Sequence, residues 1–387
     1  MAASRPSLSE LRAALPDLAA EARSRSVEFE SLRRLAPDFI AKLKQAGVMR
    51  VLVPAEVGGY GASLTEMLEV LMTLAEADAS TGWVCAHGNI CAALIHASAE
   101  PRLCDEFFCD PAAYASWSNL PRVQVVQRPD GLRISGSWGF ESGCTGATFV
   151  GGMVVLPPVA DGAAPRMVTA LAPISEARIE ETWDPIGLAG TGSHDVHFDD
   201  VFVPWHRTFT WPFGVAVAPF PAAVVVGGGW FITIAAAATH LGLARRALDE
   251  ARNELRGKVD RMTQRPLLEN PATQRRLEAA EGLWLACRAG LREALTAVWD
   301  SGLRGESATT AQRLDVRVAG VTAVQRGTEI VREAYDASGA SALRRSGALQ
   351  RLLRDASCLT HHISSNLASY ELTGRVRCNI DELSARI

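Results

Sequence analysis

The chain has 387 residues, 48% of them apolar, and a formal net charge of −4 from 39 basic and 43 acidic side chains. That is more apolar material than one simple core takes up, so two or three domains or layers are expected. Charges of both signs are interspersed, which excludes a nucleic-acid-binding face and an acidic disordered tail.

The N-terminus, MAASRPSLSELRAALPDLAAEARSRS, is charged throughout and has no apolar h-region, so no signal peptide is expected and the reading is cytoplasmic. Residues 1–112 read as a helical domain. In LRRLAPDFIAKLKQAGV, Leu35, Phe39, Leu43 and Val48 fall near helical spacing, with Gly47 as a helix end. After the loop VPAEVGGYGASL, Ser63 and Glu66 form a capping-box pattern ahead of LTEMLEVLMTLAEADAS. GWVCAHGNICAALIHASA reads as a further, mostly buried helix. Residues 113–215 read as a β-domain. A turn at Pro129–Gly131 joins two alternating segments, and TFVGGMVVL, RMVTALAPI and DVHFDDVFVP are short, β-rich and bounded by Gly, Pro or Asp.

Residues 216–387 are helical again and predict a bundle of about four long helices, the last running through LQRLLRDASCLTHHISSN. The apolar run Ala222–Ala244 has the length of a membrane span. Its three consecutive glycines, Thr233, Thr239 and His240 favour a buried core helix. The eight cysteines show no CxxC pair, so reduced thiols are expected rather than a zinc or redox site. His194 and His197 sit three apart on a predicted strand, on opposite faces, which argues against a metal site.

Six motifs in order, Val53–Leu64, Ala77–Val84, Ser135–Ala147, Ile186–Pro204, Tyr335–Leu343 and Leu349–His362, resemble the acyl-CoA dehydrogenase fold. The implied class is α+β: an N-terminal helical domain, a central β-barrel-like domain and a C-terminal four-helix bundle. Within that fold the chain is most similar to the reduced-flavin-dependent monooxygenases, the oxygenase components of two-component hydroxylases. In the dehydrogenases a glutamate base follows the Arg-Asp element; position 363 here is isoleucine, and no carboxylate lies between Asp355 and Glu371. In the monooxygenases a histidine sits seven residues after that Asp, which gives His362. A continuous helix supports the same choice: at about 100° per residue, Leu349, Leu352, Leu353, Ala356, Leu359, Ile363 and Leu367 share a stripe. His362 falls in line with Asp355 and Asn366, and His361 falls on the other side.

The resemblance also implies roles for other residues. Ser142 would lie near flavin N5, which alternates between hydrogen-bond donor and acceptor, and a hydroxyl serves either. Phe140 would pack against the flavin ring and Trp138 would prop the strand. Ser116 would meet a phenolic oxygen, with Ser118 the competing residue and a further cofactor candidate. His87 would face the substrate, the alternative being a core histidine; His96 is read as structural. Arg256 or Arg261 would reach a flavin phosphate, and Thr191 and Ser193 would add hydroxyl or backbone contacts. Asp355 or Asn366 would set the His362 tautomer, and Thr208–Ala223 would form a lid. There is no Walker A or GxGxxG motif, so a separate reductase is expected to supply reduced FMN or FAD.

The expected activity is hydroxylation of a small, aromatic or phenolic substrate with O2 through a flavin C4a-hydroperoxide. Ser142, His362 and His87 would be catalytic, with His362 orienting or deprotonating the substrate. Oxygenation at nitrogen or sulfur is the alternative on this scaffold, and a dehydrogenase-like enzyme or a non-catalytic scaffold the alternative of another class. A homotetramer, or at least a dimer, is implied.

Overall fold

Ser7 and Ser63 start two helices in the same way. Each hydroxyl accepts from the backbone N–H three residues on, and Glu10 or Glu66 returns a bond to the cap's own N–H. The computed structural model describes residues 7–158, 165–210 and 228–380. Five helices open the chain: α1 (Leu8–Leu32), α2 (Pro37–Gln45), α3 (Leu64–Ala77), α4 (Ala79–Ser98) and α5 (Pro101–Phe108). Leu35, Phe39, Leu43 and Val48 are all buried, as their spacing predicts. Gly47, just past α2, adopts φ 65, and a Cβ there would stand 2.9 Å from the Tyr60 ring. The following loop is pinned to α4 by buried Asn89, which accepts from Val51 N–H at 2.7 Å and donates to the Val48 and Cys85 carbonyls. Three backbone groups and both N–H groups of this amide are thereby satisfied away from water.

The strands are β1 (Pro121–Arg128), β2 (Gly131–Glu141), β3 (Phe149–Leu156), β4 (Arg166–Pro173), β5 (Arg178–Glu180), β6 (His194–Pro204) and β7 (Thr208–Phe209). They make two antiparallel sheets, ordered β1-β2-β6-β5 and β3-β4-β7. Trp138 ties the sheets together: its indole N–H donates to the Met153 carbonyl and its ring meets Phe198 edge-on at 4.9 Å. The role of prop expected for it is the one it has.

Three long helices follow, α6 (Gly228–Leu255), α7 (Pro271–Leu303) and α8 (Thr310–Ser338), then α9 (Ala348–Leu359) and α10 (Ala368–Arg377). Ile234–Ala238, Leu241, Leu243 and Ala244 of α6 are fully enclosed, in keeping with a core helix. Among the described residues no helix is long and apolar enough to cross a membrane.

The fourth bundle helix differs from expectation. It stops at Leu359 and resumes at Ala368, with a short 3₁₀ turn, Ile363–Ser365, between. Hydroxyl and amide side chains compete with the helical backbone here. The Thr360 hydroxyl donates to the Ser357 carbonyl, and Asn366 caps α10 by accepting from Ala368 N–H. Ile363 and Leu367 therefore leave the apolar stripe and are 77% and 59% exposed.

Candidate active site

Asp78 caps α4, accepting from the backbone and hydroxyl of Thr81. One turn further on, Trp83 and His87 are four residues apart and so share a face. Ser142 lies just beyond β2, where the pairing with β6 slips between Trp138 and Glu141. Phe140 is forced to φ 59, which is rare for a bulky side chain and a mark of a constrained site. Gly143 completes the bend at φ 75; a Cβ there would lie 2.3 Å from the Tyr114 hydroxyl. The Ser142 carbonyl accepts from Ser116 Oγ at 2.8 Å and Tyr114 OH at 3.0 Å, which fixes its backbone.

The Ser142 hydroxyl lies in a row of polar groups. Trp83 Nε1 donates to it at 2.9 Å, and Ser193 Oγ is 2.8 Å away on the other side. Ser193 meets Thr191 Oγ1 at 2.8 Å, and Thr191 donates to the Leu188 carbonyl at 2.8 Å. The Trp83 ring in turn stands edge-on to His362, with centroids 5.1 Å apart. Residues of the N-terminal helices, the β-domain and the broken C-terminal helix thus meet at one place.

His362 Nδ1 accepts from Ser364 N–H at 3.2 Å and lies 2.7 Å from the Ser364 hydroxyl. A backbone N–H only donates, so Nδ1 is the unprotonated nitrogen and Nε2 carries the hydrogen. The turn is held from below by Gln325, which donates to the Ser365 carbonyl at 2.9 Å, and by Thr233, which reaches the Ser364 carbonyl. His361, by contrast, is exposed. The choice of His362 over His361 agrees with this placement, although the continuous helix behind that argument does not exist.

Burial pushes the pKa of both His87 and His362 down to about 4, so both rings are neutral near pH 7. A hydrogen bond to the Trp117 backbone opposes that shift at His87. Each keeps partial solvent access despite dense surroundings. The walls nearby are aromatic: His87 packs against Trp117 at 6.5 Å, and Trp117 against Phe209 at 5.6 Å.

A planar, partly apolar ring with hydrogen-bonding edges fits these residues. Phe140 is 58% exposed beside Ser142 and meets Trp183 edge-on at 5.8 Å. An exposed aromatic held in a strained backbone next to the Ser142 hydroxyl suits a flavin face.

Several expected residues sit elsewhere or do something else. Ser116 is fully buried, and its proton is spent on the Ser142 carbonyl, so it has none for a substrate. Ser118 is stitched to β3 through its backbone, and its hydroxyl accepts from Leu120 N–H. Thr191 and Ser193 do stand beside Ser142, but their hydroxyls serve each other and Leu188. Arg256 and Arg261 are exposed past the far end of α6, about 35 Å along that helix from Thr233, so they lie far from Ser142 and His362 of the same chain. Asp355 does not touch His362; its buried carboxylate accepts from Leu188 N–H at 2.7 Å, and Asn366 caps α10. The candidate lid lies mostly outside the described residues.

His96 packs edge-on against Phe108, a structural position. His194 is buried and accepts from Trp183 N–H, whereas His197 pairs with Glu180 at 2.8 Å. Among the described residues no three His, Cys, Asp or Glu side chains converge as a metal site would require. All eight cysteines are free.

Trp83 and Ser364 were not anticipated. The four-residue spacing of Trp83 and His87 on one helix is a legible signal for the first. The Ser-Ser-Asn run after the histidines is the signal for the second.

Residues 7–109 match the family described as acyl-CoA dehydrogenase, N-terminal domain, and residues 234–367 match that described as acyl-CoA dehydrogenase, C-terminal domain. The chain is 32% identical over 359 residues to the FADH(2)-dependent resorcinol hydroxylase, oxygenase component, of a Rhizobium species, an alignment covering 89% of this chain and 88% of that protein. It is 30% identical over 356 residues to the indole-3-acetate monooxygenase of Pseudomonas putida, covering 91% and 89% respectively. The crystal structure of the HsaA monooxygenase from Mycobacterium tuberculosis is similar with a TM-score of 0.88 at 25% identity, covering 99% of this chain and 100% of that one.

Proposed function

The chain belongs to the flavin-dependent monooxygenases of the acyl-CoA dehydrogenase superfamily, and from that premise we propose that it oxygenates a small aromatic substrate at the site around Ser142, His87 and His362. It is the oxygenase component of such a system, using reduced flavin and O2. Reduced flavin supplies the electrons for O2 activation, and a separate flavin reductase would deliver it.

The observation that carries the reading is the state of His362. Its Nδ1 is occupied by Ser364, so a neutral ring offers Nε2–H to the cavity. That hydrogen orients a substrate oxygen or nitrogen and stabilises negative charge on it. It does not make His362 a ready general base, so of the two tasks expected for this ring, orientation is the one the geometry favours. Trp83 stands edge-on to His362 and Trp117 edge-on to His87, which gives the site aromatic walls. Relatives named for resorcinol and indole-3-acetate fit a ring with one polar handle, the chemistry these walls and this donor would accept. Dehydrogenation is disfavoured because the position of its base is Ile363, which is exposed, and no carboxylate stands in its place.

The test is incubation with a chemical reductant or a flavin reductase, FMN or FAD, and a panel of phenols and indoles under ¹⁸O2. One ¹⁸O atom per product molecule, at a carbon of the ring, is the expected result. Products labelled only at nitrogen or sulfur of other substrates would move the activity to heteroatom oxygenation. A thioester desaturated without label would overturn the reading.

A further inference from the structure

The row of hydroxyls beside Ser142 has a direction. Thr191 has one proton, and its partner, the Leu188 carbonyl, only accepts. Ser193 must therefore donate to Thr191 Oγ1. That spends the Ser193 proton, so Ser142 must donate to Ser193 Oγ. At the other end the Trp83 indole only donates, and it donates to Ser142. Protons run one way: Trp83 to Ser142 to Ser193 to Thr191 to Leu188.

The end point is itself held in an unusual state. Leu188 adopts φ 53, uncommon for a branched residue. Its carbonyl collects the Thr191 hydroxyl, the Thr191 N–H at 3.1 Å and the Trp183 indole at 3.0 Å. Its N–H is taken by Asp355 from α9. The peptide units on either side of Leu188 are both anchored, so the terminal acceptor cannot turn away.

We infer that Thr191 and Ser193 are positioning residues that lock the Ser142 proton away from the cavity, so that Ser142 only accepts and the site selects the reduced flavin. This rests on the proposal that flavin sits against Ser142. Reduced flavin carries hydrogen at N5 and donates to the remaining lone pair of Ser142. Oxidised flavin has a lone pair at N5 and would face another lone pair. A hydroxyl free to rotate would serve both forms, whereas a locked one serves only the first. An oxygenase that takes reduced flavin from solution and must release the oxidised form gains from that asymmetry.

The experiment measures dissociation constants of reduced flavin, under anaerobic conditions, and of oxidised flavin for the wild type and three variants. FMN and FAD are each titrated. The wild type is expected to hold the reduced form at least about tenfold more tightly, the scale of one hydrogen bond gained against one mismatched. Thr191→Val removes the acceptor for Ser193, which can then donate to Ser142 and release its proton toward N5. Ser193→Ala frees that proton directly. Both are expected to lower the reduced-to-oxidised preference about tenfold, chiefly by tightening the oxidised form, an upward shift of about 30 mV lost from the bound two-electron couple. Thr191→Ser keeps the hydroxyl and should keep the preference, which a loss of packing alone would not distinguish from Thr191→Val in this way. If Thr191→Val does not fold, Ser193→Ala decides.

A wild type that retains neither form of either flavin overturns the functional proposal and the inference with it. A wild type that binds flavin with no preference overturns the inference alone, as does an unchanged preference in the folded variants.

Discussion

Replacing His362 by alanine is expected to cut product formation about 100-fold while flavin oxidation by O2 continues, so that consumed oxygen appears as hydrogen peroxide. The size is that of lost orientation at a reacting centre, where a misplacement of about 1 Å costs that much. The expectation follows from how the ring is held. Ser364 fixes Nδ1, the Trp83 edge sets the plane, and the turn rests on Gln325 and Thr233. Only Nε2–H is left to meet a substrate. His362→Gln keeps a donor of similar reach and should recover part of the lost coupling. Since burial holds the pKa of this ring at about 4, coupling should stay flat from pH 6 to 8. A fall in coupling below pH 6.5 would mean that the ring titrates like an exposed histidine. Product yield and peroxide are measured together with any phenol or indole the wild type oxygenates.

The second large effect is on stability and its pH dependence. Asp355 is buried, and burial raises its pKa from an ordinary carboxylate value to about 7, against a hydrogen bond from Leu188 that lowers it; the nearby Asp78 raises it further. The folded state thus keeps a proton that the unfolded chain loses near pH 4. Between those values stability falls as pH rises, by about 1.4 kcal/mol per pH unit for this group. The amide in Asp355→Asn cannot ionise but can still accept from Leu188 N–H. The stability difference between variant and wild type should therefore move in favour of the variant by about 4 kcal/mol from pH 4 to pH 8, levelling off above pH 7. Glu141, also buried with a raised pKa, is present in both proteins and cancels in the difference. Urea midpoints at several pH values give the answer; a difference that does not change with pH would show an ordinary carboxylate at 355.

Much of the architecture was legible because local and long-range signals agree. The capping boxes at Ser63, the spacing of Leu35, Phe39 and Leu43, and the Pro129–Gly131 turn each encode an element that tertiary packing then keeps. The break after Leu359 was not read, because the apolar spacing through Ile363 and Leu367 continues the helical period. Competition for the backbone by the side chains of Thr360, His362 and Asn366 outweighs that period.

Ser142 and His362 were proposed from family spacing, and the fold brings both to the Trp83 ring. Ser116 shows what spacing alone leaves out. From sequence, a serine on a strand near the site looks free to bind a substrate. In the fold its hydroxyl is fully enclosed and holds the Ser142 carbonyl. Which partner a hydroxyl finds depends on a residue 26 positions away across a bend that only Gly143 permits, and no local pattern carries that information. The same holds for Asp355, whose partner Leu188 lies 167 residues away.

The most direct test of the central claim separates oxygen consumption from peroxide release in time. Anaerobic protein loaded with reduced flavin is mixed with oxygenated buffer without substrate, and O2 and H2O2 are followed together. An oxygenase with an enclosed site beside Ser142 and His362 should consume O2 first and release H2O2 measurably later, because its walls keep water and stray protons from the activated oxygen. Peroxide appearing in step with O2 loss, at the rate of free reduced flavin, would contradict the account.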